Sequence, residues 1–120
     1  MNVNRLMRLA ALLDQIQVDG RQFAMDTWGY QNDCGTVTCA MGWAAQDPTF
    51  QAEGLSSYAP KYFEPVFDNK DGIEAAAAFF GLHCSEAGNL FFPEEYPGPE
   101  HAITPSDVAK RVRRLLERAA

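Results

Sequence analysis

The sequence lacks the features that would place this chain in a membrane or on an export route. No apolar run approaches the roughly 20 residues that a helix needs to cross a bilayer. Residues 1–17 carry Arg5 and Arg8 inside an amphipathic pattern, without the continuous apolar region and small-residue cleavage site of a signal peptide. We therefore expect a cytoplasmic protein that has no membrane association.

Motifs of common enzyme chemistry are missing too. The chain has no glycine-rich phosphate loop, no Gly-x-Ser-x-Gly elbow, and no carboxylate pair at helical spacing beside a histidine. A thiol enzyme would need Cys39 close to His83 or His101, and nothing in the sequence brings these residues together. The sequence thus leans against an enzyme without deciding the question.

Cysteine is scarce, with three residues in the chain. An odd number without an export signal favours reduced thiols over a disulfide framework. A metal site would have to draw on these five residues: Cys34, Cys39, His83, Cys84 and His101. The Cys-x4-Cys spacing is close to that of zinc sites, but no second spaced pair follows, and the adjacent His83 and Cys84 suit a closed tetrahedron poorly. We expect no metal and no cofactor, with the cysteines packed as small hydrophobic residues.

Charge and aromatic residues are unevenly distributed along the 120 residues, a length typical of one domain. The net charge is −6, yet residues 22–100 hold twelve acidic residues against Lys61 and Lys70, and all fourteen aromatic residues fall between Phe23 and Tyr96. Two explanations stay open. Basic terminal helices pack beside an acidic centre for charge balance, or an acidic, aromatic surface is presented to a basic partner.

Helical periodicity and capping residues predict a single, mainly α domain of about five helices. The predicted helices span residues 4–17, 37–46, 71–80 and 86–91, and the last begins after a cap at Thr104. The helix at 37–46 is apolar all round except for Thr38, so we expect it at the buried centre, with Met41 and Trp43 filling space. We place its N-cap at Thr36, with Asp33 as the alternative, which puts Cys39 in a first turn that favours a thiolate.

The remaining middle of the chain, residues 47–69, combines three prolines with six aromatic or large aliphatic residues. The prolines exclude a long helix, and the aromatic residues exclude a free linker. We expect an ordered loop region that leaves room for a short β-hairpin. Binding residues tend to lie on such loops.

Several blocks of the sequence form a combined pattern: Phe23-x-Met25-x-x-Trp28, Cys34-Gly35-Thr36-x-x-Cys39-Ala40-x-Gly42-Trp43-Ala44, Phe79-Phe80-Gly81-Leu82 and Thr104-Pro105-x-Asp107-Val108-Ala109. This pattern resembles a family of small uncharacterised proteins found in bacteria and their phages. The Cys-Gly-Thr to Gly-Trp-Ala block is its most specific part. The resemblance implies a setting but no chemistry: an accessory protein, bacterial or phage-borne, that acts inside a bacterial cell.

Two binding hypotheses follow. In the first, a non-enzymatic protein presents an acidic, aromatic surface to a protein partner, for example to inhibit a host defence or nucleic-acid-handling protein; its anchors are Tyr58, Tyr62, Phe63, Phe92 and Tyr96. In the second, a small ligand enters an aromatic pocket near the start of the central helix, lined by Trp28, Tyr30, Thr36 and Trp43. Nucleic acid is an unfavourable partner because one basic helix on an acidic domain offers few cations to neutralise phosphates. The oligomeric state is left open.

Overall fold

The computed structural model describes residues 1–32, 35–58 and 63–119. Within them the chain forms six α-helices and five short strands, in this order: α1 (Val3–Asp19), β1 (Gly29–Asn32), β2 (Gly35–Thr38), α2 (Ala40–Gln46), α3 (Pro48–Ala52), β3 (Ser56–Ser57), β4 (Pro65–Phe67), β5 (Lys70–Asp71), α4 (Gly72–Phe80), α5 (Cys84–Phe91) and α6 (Pro105–Ala119). Strands β1 and β2 form one antiparallel sheet, and β3, β4 and β5 form a second. The predicted mainly α fold is confirmed.

The terminal helices α1 and α6 pack against each other in antiparallel orientation. The buried stripe of α1 consists of Leu6, Leu9, Ala10, Leu13 and Ile16. Opposite it, Val108 and Val112 of α6 are fully buried. The predicted cap of α6 at Thr104 is confirmed, and it forms a capping box: the Thr104 amide donates to Asp107 at 2.9 Å, and the Asp107 amide donates to the Thr104 hydroxyl at 3.2 Å.

The central helix begins later than the sequence suggested, and the predicted N-cap at Thr36 is wrong. Residues 35–38 form β2, which pairs with β1, and Cys39 is the N-cap of the seven-residue helix α2. The β-branched run from Thr36 to Thr38 suits a pleated strand, and pairing with β1 overrides the helical pattern. The buried Thr38 hydroxyl then donates to the Trp28 carbonyl.

Helix α2 nevertheless lies at the dry centre of the molecule. Ala40, Met41 and Ala44 are fully buried, as predicted. Trp43 is only half-buried, and its indole N–H donates to the Gln22 carbonyl at 3.0 Å. An added Cβ at Gly42 would lie 2.6 Å from the Trp28 carbonyl oxygen, so this glycine permits close packing.

The region between residues 47 and 69 contains more structure than the expected loop. Asp47 caps α3, where its carboxylate accepts from the Phe50 amide at 3.2 Å. The β4–β5 hairpin turns at Asp68 and Asn69, whose φ angles of 51° and 63° are those of a two-residue type I′ turn.

Arg5 and Arg8 of α1 both form ion pairs with acidic residues from the middle of the chain. Arg5 Nε lies 2.7 Å from the Glu53 carboxylate, and its guanidinium stacks over the Phe79 ring with 4.1 Å to the centroid. Arg8 makes a two-point contact with Asp47. The charge-balance explanation therefore holds for the basic residues of α1.

Helices α4 and α5 and the following segment complete the core. Helix α4 begins after Asp71 and ends at Gly81, as predicted, with Gly81 in the left-handed region at φ 66°. Helix α5 begins at Cys84, two residues before the predicted start at residue 86, because His83 is its N-cap; the His83 amide donates to Glu86 at 3.0 Å. Two single 3-10 turns, Pro93–Glu95 and Glu100–Ala102, then lead into α6.

Candidate binding cleft

Of the predicted surface residues, Tyr58 and Phe92 are accessible in the described structure. Tyr58 is 41% exposed, and its hydroxyl lies 3.4 Å from Asp71 Oδ2. Phe92 follows the end of α5 and is partly exposed. Tyr62 lies outside the described residues.

Phe63 and Tyr96 are buried, so their prediction as exposed anchors needs correction. Phe63 is 3% exposed and packs against Gly29. A Cβ added at Gly29 would lie 2.8 Å from Phe63 Cβ. Tyr96 is 7% exposed. Its hydroxyl donates to the Leu90 carbonyl at 2.7 Å, and the central guanidinium carbon of Arg111 lies 3.7 Å from the centroid of its ring. Burial raises the pKa of Tyr96. Both aromatic residues support the fold.

The four residues of the predicted small-ligand pocket are not brought together. Tyr30 is 49% exposed on β1, opposite Val37, and Thr36 lies in a strand instead of at a helix start. Trp43 points toward Gln22 and lies beside Arg21, whose guanidinium is 5.4 Å from the ring centroid. Of the four, only Trp28 lines the cleft described next.

This cleft lies between residues 25–28 and residues 91–94, with Glu100 at its edge, and has a volume of about 370 Å³. Met25, Cys39 and Phe91 form its buried floor. The half-buried aromatic residues Trp28 and Phe92 also line the cleft, together with three exposed acidic residues, Asp26, Glu94 and Glu100. We call this site the acidic–aromatic cleft.

Local structure explains how these distant residues meet. The segment before β1 is held against β2 by a bridge between Phe23 and Thr38 and by the Ala24 amide, which donates to the Thr38 carbonyl at 3.2 Å. On the other side, Pro93 prevents α5 from continuing and turns the chain after Phe92. The cleft is therefore built on β2 and on the end of α5.

The acidic side chains of the cleft have no ion-pair partner within residues 1–32, 35–58 and 63–119. Their charges are free to attract a cation, and an aromatic face close to a cation adds a further favourable interaction. In the same described ranges, no three His, Cys, Asp or Glu residues lie close enough to hold a metal ion.

Cys39 occupies the floor of the cleft as a neutral thiol. It is 2% exposed, and burial raises its pKa. The expected thiolate in a first helical turn is therefore wrong, because Cys39 is the N-cap and is desolvated. Its Sγ lies 4.0 Å from the Trp28 carbonyl oxygen. A protonated thiol at this position adds polarizable apolar surface and is a poor nucleophile.

Sequence reasoning had identified Trp28 and Phe92 but placed them in different sites, and it had not singled out Asp26, Glu94 or Glu100 individually. The excess of acidic and aromatic residues between positions 22 and 100 was the available signal. That signal could not show which of these residues share a cleft, because the contacts join segments more than 60 positions apart.

None of the helices in the described part of the chain is long and apolar enough to cross a membrane. No family model matches the chain, and no curated protein or solved structure matches it either.

Proposed function

We propose that this chain is a non-enzymatic binding protein that receives a basic segment of a protein partner in its acidic–aromatic cleft. The setting that we propose is the bacterial cytoplasm, where the chain would act as an accessory protein of bacterial or phage origin. Inhibition of a host defence or nucleic-acid-handling protein is one role of this kind. The supporting observation is that three carboxylates without ion-pair partners in the described structure line the same cleft as Trp28 and Phe92.

The chemistry of the cleft favours lysine or arginine side chains as occupants. Their charged ends would lie between Asp26, Glu94 and Glu100, and their aliphatic stems would contact the aromatic walls. An arginine can also stack its planar guanidinium on Trp28, which adds roughly 0.5–1 kcal/mol at an exposed site and about 2 kcal/mol where the contact is shielded from water. Aromatic residues at the centre of a charged rim are a common arrangement in protein interfaces.

A direct test uses a fluorescein-labelled peptide of alternating arginine and alanine as the probe. Wild-type protein should bind it, and the variant Asp26→Asn/Glu94→Gln/Glu100→Gln should lose about tenfold or more in affinity, as expected when interface charges are removed. The matched control is Asp68→Asn/Glu74→Gln/Glu117→Gln, which removes the same charge from exposed positions away from the cleft. If both variants lost the same affinity, peptide binding would depend only on the net charge of the protein, and the proposal would fail.

A small organic cation is the second candidate occupant, favoured by one observation. The cleft is lined by Trp28 and by Cys39, the N-cap of α2, and this supports a small ligand held against an aromatic side chain. Native mass spectrometry of the purified protein would reveal a retained small molecule. Salt dependence separates the two occupants, because a partner held by surface charges dissociates as salt rises, and a ligand enclosed by aromatic walls responds less.

A further inference from the structure

Helix α6 carries a row of three cations that the fold of a single copy does not use. Lys110, Arg114 and Arg118 follow one another at every fourth position and are exposed. At a rise of 1.5 Å per residue, neighbouring members of this row are about 6 Å apart along the helix. Like charges four residues apart on a helix repel each other. We call these three residues the basic row.

Other arginines of the two terminal helices have partners. Arg5 and Arg8 of α1 form ion pairs with carboxylates, and so does Arg113 of α6, which pairs with Asp14. Arg111 donates to two backbone carbonyls. These contacts attach the terminal helices to their surroundings, so each of these arginines has a structural explanation that the basic row lacks.

The basic row lies next to the acidic–aromatic cleft on the surface of the molecule. Lys110 and Arg114 line a concavity together with Tyr96. The Arg111 guanidinium, beside Lys110 in the sequence, donates to the Glu95 carbonyl at 2.6 Å. The residue before Glu95 is Glu94, which lines the acidic–aromatic cleft. One short segment of chain therefore separates three cations from three carboxylates.

These opposite charges do not pair within one copy. In the part of the chain that the structure describes, no ion pair involves the basic row or the three carboxylates of the cleft. Two other acidic residues, Glu86 and Asp107, share concavities with the basic row. Their carboxylates already accept hydrogen bonds from the His83 and Thr104 amides, at the starts of α5 and α6. Both charge sets are therefore available to a second molecule.

We propose that the basic row of one copy binds the acidic–aromatic cleft of a second copy of this chain. Helix α6 of the other copy is then the basic segment that the cleft receives, so this assignment depends on the proposed function. Three cations meet three carboxylates, and each set gains the partner that it lacks in its own copy. Because every copy has one row and one cleft, a two-fold pair of copies can form both contacts at once.

The size of the cleft determines how the basic row enters it. One turn of an α-helix with its side chains occupies roughly 400–600 Å³, from its pitch of about 5.4 Å and its diameter of about 10–12 Å. The cleft has a volume of about 370 Å³, which is less than one turn. Helix α6 therefore stays outside, and the long side chains of the row reach in. Their aliphatic stems contact Trp28 and Phe92, and their charged ends meet the carboxylates.

Sedimentation velocity of the full chain tests the self-association. In roughly 0.1 M salt, the wild type should form a larger species as its concentration rises, and in about 1 M salt it should stay monomeric because charges are screened. Arg114→Glu/Arg118→Glu should weaken the association about tenfold or more. The matched control, Arg21→Glu/Lys70→Glu, reverses two exposed cations elsewhere, has the same net charge as the row variant and should lose much less. Circular dichroism and thermal melting verify that each variant is folded.

A charge swap provides the decisive comparison. Glu94→Lys/Glu100→Lys reverses charge in the cleft and should also be defective alone. An equal mixture of this variant with Arg114→Glu/Arg118→Glu has opposite charges at both row–cleft contacts, so the mixture should associate about as strongly as the wild type. A mixture of the cleft variant with the control variant has the same net charges but leaves one contact repulsive, and it should associate more weakly.

The labelled arginine–alanine peptide separates this assignment from the proposed function. Saturating peptide should occupy the cleft and return the wild type to monomer. If the peptide binds but the wild type is monomeric at every concentration, self-association is wrong and the proposed function stands; if the peptide does not bind and the chain is monomeric, both are wrong. Self-association through these sites is also overturned if the control variant loses as much as the row variant, if reversing the cleft charges has no effect, or if the charge-swap mixture associates no better than its components.

Discussion

Arg8 and Asp47 form a two-point ion pair between α1 and the start of α3. Arg8 Nε lies 2.7 Å from Asp47 Oδ2, and Arg8 Nη2 lies 2.9 Å from Asp47 Oδ1. The Asp47 side chain is 6% exposed and also caps α3 through the Phe50 amide, whereas that of Arg8 is 44% exposed. The Asp47 carboxylate thus both caps α3 and links α3 to α1.

Asp47→Ala should lower the free energy of unfolding by about 2 kcal/mol. Loss of an N-cap costs about 1 kcal/mol, and loss of a partly exposed ion pair adds up to about 1 kcal/mol. Asp47→Asn is the matched control, because asparagine caps as well as aspartate and loses only the charge. Urea denaturation should rank the wild type above Asp47→Asn, and Asp47→Asn above Asp47→Ala. Equal stabilities of the two variants would contradict a role of the cap.

Stability should fall in acid through Asp47 and Asp14. Burial alone would raise the pKa of Asp47, but hydrogen bonds from Arg8 and the Phe50 amide outweigh it, so the pKa lies below its ordinary value. The hydrogen bond from Arg113 likewise lowers the pKa of Asp14. A carboxyl group with a lowered folded-state pKa stabilises the fold above its unfolded pKa of about 3.9, and this stabilisation is lost as the pH falls further.

Urea midpoints measured between neutral pH and roughly pH 3 verify this expectation. The wild type should lose stability below about pH 4. Asp14→Asn/Asp47→Asn should start less stable at neutral pH and lose less on acidification. If the double variant keeps the full acid dependence of the wild type, other carboxylates are responsible.

Gly42→Ala should destabilise the protein by about 2 kcal/mol or more, although alanine favours a helix by about 1 kcal/mol. The new Cβ would lie 2.6 Å from the Trp28 carbonyl oxygen and 2.8 Å from Thr38 Cβ, and the carbonyl belongs to the backbone next to β1. Gly88→Ala is the matched helical control. Its Cβ would meet only the partly exposed Phe92 ring, at 3.1 Å, and this ring can shift. Thermal melting compares the stabilities of Gly42→Ala and Gly88→Ala. Equal melting temperatures would contradict the close approach of Gly42 to the Trp28 carbonyl.

Local signals predicted the parts of the fold whose determinants lie within a few residues. The Thr104-Pro105-x-Asp107 cap specifies the start of α6, and Asp71 and Gly81 bracket α4, because each signal acts within one turn. The start of α2 was misplaced because Val37 and Thr38 satisfy a helical pattern, and only pairing with β1 decides for a strand. Local sequence gives little information on such pairing.

The sequence predicted that a binding site would be acidic and aromatic, but it did not predict which residues form the cleft. Trp28 and Phe92 were identified as aromatic residues of a binding region, but a helical pattern does not show that the segment before β1 meets the end of α5. The same limit explains why the partners of Arg5 and Arg8 were missed, since Glu53 and Asp47 approach them only through the tertiary fold. By contrast, helical spacing alone places Lys110, Arg114 and Arg118 on one exposed side of α6.

Two described cysteines should differ strongly in reactivity. Cys84 is exposed, whereas Cys39 is buried and burial raises its pKa, so Cys39 offers little thiolate to a reagent. In a Cys34→Ser background, Ellman's reagent at mildly alkaline pH should titrate one thiol quickly and a second at least about a hundredfold more slowly, because the second must await local opening. In concentrated denaturant both should react at similar rates. Cys84→Ser is the control that removes the fast phase; if a fast phase persisted in Cys34→Ser/Cys84→Ser, Cys39 would be accessible and the floor of the acidic–aromatic cleft would be open to solvent.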